Sequence, residues 1–441
     1  MPRSDSRYWY LWLSLLLTMG VYLVGAQAFA VPSFSRQTGF ACDACHTSYP
    51  GLTALGREFK LNGYQMGTIK KVAAQATQSA PGMGINQIPN LSVILQVGEE
   101  GMSKAAPDTQ NPSADFPKEM GLYYAGRIAP HLGTFLQVTY DSGGDFGMDM
   151  SDVRYARHAQ LFGQSDTWGL DLNNGPTFED VWNSTPGYGW PYVENDAPIG
   201  ADGPFIASDA VQTNVIGYGA YQYWDNLIYA YAGVYQAAAQ GNTPAPSTGA
   251  NGEVLDGAAP YYRVAVTPMP NLEIGSFGFF TKAHPDGETS TQTTRYNDLG
   301  FDAQYQWYPN NRNIMTFHAT YIHEVHNGLD RVGVSGPSSV TTDFANVDAN
   351  WYYEHRYGLG LGYFSSHGDA SPLYAVGSKD MAKPNTNGEI VQLDYLPWQN
   401  TRFSVQYIAY NKFNGASSNY DGNGRNASDN NTWLLNALFG F

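Results

Sequence analysis

From Asn90 to the C-terminus the side chains alternate apolar and polar in segments of about ten residues, as in the strands of a membrane-spanning barrel. A strand turns successive side chains to opposite faces, so each segment carries one apolar and one polar face. Leu91, Val93, Leu95 and Val97 share a face. Leu299, Phe301, Ala303, Tyr305 and Trp307 oppose Asp302, Gln304 and Gln306. Ala345, Val347, Ala349, Trp351 and Tyr353 oppose Asn346, Asp348, Asn350 and Glu354, and Phe403, Val405, Tyr407 and Ala409 oppose Arg402, Ser404 and Gln406. A soluble β-sandwich would alternate too, so the connections decide. About sixteen candidate strands fit the pattern, the first centred near residue 95 and the last near 436. Those near 156 and 170 are the weakest. Short links such as Pro130–Gly133, Trp224–Asn226 and Pro397–Asn400 alternate with long ones, among them 176–210, 239–257, 327–341 and 369–387. Barrels of the bacterial outer membrane have short periplasmic turns and longer extracellular loops. An even strand count returns both barrel ends to the periplasm.

The chain's end agrees. Trp433, Leu435, Ala437, Phe439 and Phe441 alternate to a final aromatic, which resembles the terminal signal of outer-membrane proteins. Trp307, Tyr308, Tyr352, Tyr353 and Trp398 lie near strand ends, where interfacial girdles form. Only 14% of residues are charged while 14% are aromatic, and mean hydropathy is −0.35, a balance that suits a β-rich exported protein. The net charge of −16 argues against nucleic acid or anionic head groups as partners. The expected fold is all-β: an antiparallel outer-membrane barrel over residues 89–441, preceded by a small, mostly helical or coil unit.

Residues 1–30 read as a secretory signal. Arg3 and Arg7 precede an apolar run from Leu11 to Gly25, and Ala28-Phe29-Ala30 forms a cleavage pattern before Val31. An uncleaved anchor is the alternative. After residue 30 no apolar run reaches the roughly 20 residues of a membrane helix.

Residues 31–88 differ from the rest. Cys42-Asp43-Ala44-Cys45-His46 is a C-x-x-C-H, the attachment signature of haem c. Both cysteines would form thioethers with one porphyrin, and His46 would be the proximal iron ligand. These are the only two cysteines in the chain. Zinc wants four ligands and no second Cys/His cluster follows. A thioredoxin-type site needs a βαβ context, and a bare disulfide leaves His46 unexplained. The export signal favours haem, which is attached outside the cytoplasm. Leu52, Leu55 and Phe59 have the spacing of one helix face that could cover the haem. Residues 70–88 read as a tether. About fifty residues cannot enclose a haem well alone, so this unit is expected to plug the lumen. The bland alternative hangs it in the periplasm.

The segment Val31-Pro32-Ser33-Phe34-Ser35-Arg36-Gln37-Thr38-Gly39 before the motif, and Pro50, Leu52, Gly56-Arg57, Phe59-Lys60-Leu61 and Asn62-Gly63-Tyr64 after it, resemble the fused monohaem cytochrome–porin family. The best-known members are the outer-membrane iron oxidases of iron-oxidising bacteria. The resemblance implies oxidation of extracellular Fe(II), with electrons crossing through one haem to a periplasmic cytochrome or copper protein. A single haem and Fe(II) both exchange one electron. The distal ligand is open: Met66 leads, Met83 follows, and a lumen histidine such as His318 or a vacant position remain. Thioether ligation would raise the potential. His323 and His326 read as surface residues. Asp286, Asp330, Asp369, Asp421 and Asp429 could attract a dication from the loops but read first as solvated charges, while Asp302, Asp348 and Glu354 are expected in the lumen. Competing functions are a passive porin with a structural haem plug, a conduit for another extracellular donor or acceptor, and a peroxidase-like haem enzyme.

Overall fold

The computed structural model describes residues 32–47, 49–66, 90–106, 109–141, 146–184, 203–207, 211, 214–238, 254–284 and 292–441. The expected signal, the tether, Met83 and Asp286 lie outside them. Seventeen strands occur among these residues: β1 (Leu91–Met102), β2 (Ser113–Ala129), β3 (Leu132–Asp141), β4 (Phe146–Leu161), β5 (Gln164–Asn173), β6 (Val215–Trp224), β7 (Ile228–Ala237), β8 (Val254–Leu255), β9 (Ala259–Met269), β10 (Leu272–His284), β11 (Thr294–Asn310), β12 (Asn313–Asn327), β13 (Ser339–Tyr353), β14 (Tyr357–Gly368), β15 (Thr386–Trp398), β16 (Thr401–Lys412) and β17 (Thr432–Gly440). β8 is a two-residue patch on the end of β10. The other sixteen are long, every neighbour is antiparallel, and β1 pairs with β17, so the sheet closes. Every strand centre expected from the sequence falls inside one of the sixteen.

Closure satisfies backbone groups that lipid cannot, which is why a barrel rather than an open sheet crosses a membrane. The outward faces carry the apolar stripe: Phe301, Val347 and Val405 are about half exposed. Their neighbours Asp302, Asp348 and Gln406 are buried inside. Trp307, Tyr357, Tyr395 and Trp398 ring the short-turn rim from outside. Tyr352 does not join them. It points inward and its hydroxyl donates to Asp394 at 2.7 Å, because it is one residue out of phase with Trp351. The apolar exterior, aromatic rim and closed antiparallel sheet make this an outer-membrane barrel.

The abundance of glycine and tyrosine has a packing cause. Tyr235 opposes Gly217, Tyr221 opposes Gly169 and Phe277 opposes Gly300 on adjacent strands. Each ring lies over its glycine, where a Cβ would collide with it.

The lumen is filled in two storeys. The described start of the link between β5 and β6 folds into the barrel. Its short helix Pro176–Glu179 buries Pro176, Phe178 and Glu179, and Val181 and Trp182 are buried beside it. Phe205 and Ile206 sit higher, where their backbone amides donate to Glu324 and Asp298. Below, in the half nearer the short turns, lies the N-terminal unit with α1 (Pro32–Thr38), α2 (Cys42–Cys45) and α3 (Ala54–Leu61). It plugs the lumen: Gln37 donates to Ala125 O (2.9 Å), Lys60 to Asp180 O (2.7 Å) and Tyr64 to Asp152 (2.5 Å), while Tyr221 donates to Leu61 O (2.6 Å).

Two ion clusters lock the storeys together. Arg154 binds Asp152 (2.6 Å) and Glu179 (2.7 Å). Arg263 binds Asp302 (2.7 Å) and Glu273 (3.1 Å), and Trp182 Nε1 donates to Glu273 at 2.9 Å. The Arg57 guanidinium lies 3.7 Å over the Trp182 ring, a contact worth about 2 kcal/mol where water is excluded.

Candidate functional site

α1 is wedged against the rim: Ser33 N donates to Ser92 Oγ at 3.3 Å and Arg36 donates to Leu91 O. Gly39 ends it in the left-handed region at φ 73°, its amide bonding back to Ser35 O. α2 is a single turn, closed by His46 N donating to Cys42 O at 2.9 Å. One turn brings Cys42 and Cys45 to the same side. His46 then leaves in extended conformation and forms a bridge with Leu52. Its Nδ1 contacts Pro50 O at 3.2 Å. A proton on Nδ1 leaves Nε2 as a free ligand atom, the orientation metal-binding imidazoles use. Loss of water pushes the His46 imidazole below its usual range, against the opposing pull of the Pro50 and Gly51 backbone.

Thr53 ties the motif to α3. Its hydroxyl donates to Ala44 O at 2.7 Å and caps α3 by accepting from Gly56 N, while its amide donates to Cys45 O at 2.9 Å. Gly56 packs so closely on α2 that a Cβ would strike the Cys45 carbonyl. Gly56→Ala is therefore expected to displace α2 and, on the reading that its cysteines carry a haem, to lower the covalently attached haem per protein at least several-fold. Haem staining of the purified protein checks this; a full complement of haem would show that α2 tolerates the shift.

A cleft opens beside the motif at the short-turn rim. Cys42, His46 and Tyr49 form one side. Ile94, Leu396 and Leu438 give the barrel side an apolar surface. His355 and Arg402 complete it from the β13–β14 turn and from β16. Arg402 is buried; its Nη1 donates to Tyr49 O at 3.2 Å and its Nε has no partner among the described residues. Gln399 accepts from Cys42 N at 3.0 Å and fixes the motif to the rim. This set fits haem c: the Cys42 thiol with Cys45 one turn away, an imidazole, an apolar wall and an orphaned guanidinium N–H for a propionate.

Other sequence candidates fall elsewhere. Met66 is half-buried near the β2–β3 turn, where Gln65 donates to Ala129 O, and does not line the cleft. Cys45 lies one turn from Cys42, half-buried. Leu52 and Phe59 are buried away from the cleft; Phe59 packs edge-on to Phe34 at 5.0 Å, so α3 builds the plug's own core rather than a haem cover. His318 is committed to Asp348 at 2.7 Å. Asp302 and Asp348 do face the lumen, but Glu354 does not: β13 ends at Tyr353 and Glu354 turns out at φ 53° to meet Arg312. Asp369 accepts from Thr341, and this hydroxyl bond holds its carboxyl below the usual range. Asp421 accepts from the Asn423 and Arg425 amides and Asp429 caps a short helix, so both organise loops. Asp330 is exposed. Among the described residues no three His, Cys, Asp or Glu side chains gather as a metal cluster. Sequence reasoning passed over His355 and Arg402. Their signals were a two-residue turn without Asn or Gly, and an arginine on an inward strand face.

No protein-family model matches the chain, and no curated protein matches it in sequence. Among solved structures it is similar to the outer-membrane channel DcaP of Acinetobacter baumannii (12% identity, 84% of this chain and 100% of that one, TM-score 0.46). It is similar also to Salmonella typhi OmpF (14%, 80% and 97%, TM-score 0.47) and to the anion-selective porin of Comamonas acidovorans (12%, 80% and 98%, TM-score 0.46).

Proposed function

We propose that this chain is an outer-membrane cytochrome–porin that takes electrons from extracellular Fe(II) and passes them through one haem c to a periplasmic carrier. The observation that carries this reading is the position of the C-x-x-C-H: its Cys42 and His46 line a cleft at the short-turn rim, the periplasmic side in barrels of this kind. Cys42 and Cys45 would hold the group covalently and His46 would ligate its iron. Arg402 would neutralise a propionate. When bound, haem supplies a one-electron centre, which matches Fe(II) as donor and a periplasmic cytochrome or copper protein as acceptor. The chain's residues position and insulate it: Gln399 and Thr53 hold α2, and the apolar wall keeps water from one side. Buried carboxylates along the lumen give the interior the sign that draws a dication inward. The resemblance of residues 31–64 to the monohaem cytochrome–porin family supports the same reading.

Stopped-flow mixing of the purified ferric protein with Fe(II) tests it. The expected result is haem reduction with one Fe(II) consumed per haem. A passive porin with a structural haem shares the fold; it predicts a haem-loaded protein that Fe(II) leaves oxidised.

A further inference from the structure

We propose that the barrel itself supplies the sixth iron ligand, through His355. This rests on the reading of the cleft as a haem site. Two imidazoles line that cleft, His46 from the plug and His355 from the rim turn between β13 and β14. No methionine or lysine lines it. Several other lining groups are committed: Tyr352 donates to Asp394, Tyr49 pairs with Tyr123, Gln399 holds the Cys42 amide and Arg402 cannot lose its proton; Asp43, beside Cys42, offers a carboxylate, a weaker ligand for haem iron than an imidazole. His355 makes no hydrogen bond or ion pair with another described residue, and it is half-buried.

The turn is shaped around that side chain. Glu354 and His355 occupy both central positions at φ 53° and φ 54°, with Arg356 N bonding to Tyr353 O at 3.0 Å. This is the I′ hairpin turn, which Asn, Asp and Gly favour because they adopt positive φ readily. The β6–β7 turn uses Asp225 and Asn226 for the same geometry. Histidine enters the left-handed region more readily than most residues, but a glutamate at the first position is a strained choice, and strain of this kind gathers at functional positions. Tyr353 and Tyr357 pair on either side and fix the turn against the rim. Ligation from this turn would make the iron a bridge between plug and barrel.

The test is the absorption and electron paramagnetic resonance spectrum of the full-length, haem-loaded protein in detergent. Wild type is expected to be low-spin with the signature of two imidazoles. His355→Ala is expected to keep its covalent haem, lose the low-spin signal and regain it when free imidazole is added. His355→Met is expected to gain the thioether-to-iron charge-transfer band. Met66→Ala should match wild type. A His355→Ala protein with haem attached and the wild-type spectrum overturns the assignment, as does a Met66→Ala protein that turns high-spin. Wild-type protein without covalent haem overturns instead the reading of the cleft.

Discussion

Replacing Arg154 with methionine is expected to destabilise the folded protein by about 3–5 kcal/mol, the cost of stranding a buried ion-pair partner. Arg154 has no exposed surface, and its guanidinium touches Asp152 on its own strand and Glu179 on the inward link. Tyr64 of the plug donates to the same Asp152, and Tyr229 donates to Glu179 at 2.6 Å. Without the arginine, two carboxylates stay in a dry interior and three elements lose their common anchor. Arg154→Met combined with Asp152→Asn and Glu179→Gln should recover most of the loss, because the two carboxylates that the guanidinium pairs with are then uncharged. Guanidinium chloride midpoints of the detergent-solubilised variants measure both. A single-variant loss under about 1 kcal/mol would mean that water reaches and screens the cluster.

The second large effect concerns permeability. Sixteen strands enclose a water-filled channel unless something occupies it. Here the plug and the inward link meet in the lumen: Leu52 N, just before α3, donates to Trp182 O at 3.1 Å, and Lys60 of α3 donates to Asp180 O and to Asn183. Wild-type protein in a planar bilayer is therefore expected to conduct ions far below an open barrel of this size. Deleting residues 32–66 while keeping the export signal should open a channel, since it empties the lower storey and releases the link from Leu52 and Lys60. Wild-type conductance equal to that of the deletion would show that ions pass around the plug.

Much of this was legible because the environment imposes it. A wall between lipid and a polar lumen forces period-two alternation, so Phe301 against Asp302 or Val405 against Gln406 marks a strand unambiguously. The even count and the alternating link lengths follow from closure. The inward link was not legible. Its Phe178, Val181 and Trp182 read like any loop with a few apolar residues, and only contact with the plug makes a destination inside the barrel favourable. The site divides the same way. Cys42, Cys45 and His46 form a local C-x-x-C-H motif, which can be read directly from the sequence. His355 and Arg402 join them only through the barrel's closure, more than three hundred residues further along the chain, so no local spacing reveals them.

The charges on α3 carry one more consequence. Arg57 donates to Leu52 O within the plug, but its other acceptors are Gln306 and Pro270 O of the barrel. Lys60 is buried, pushed down to about 8 by loss of water, and both its acceptors lie on the inward link. A helix with two cations on its buried face cannot hide them in a miniature core of its own. The N-terminal segment is thus one half of a lock rather than a portable module. Expressed alone, it would keep its C-x-x-C-H letters but lose the grammar that folds them, and grafted onto a different barrel it would find no matching acceptors.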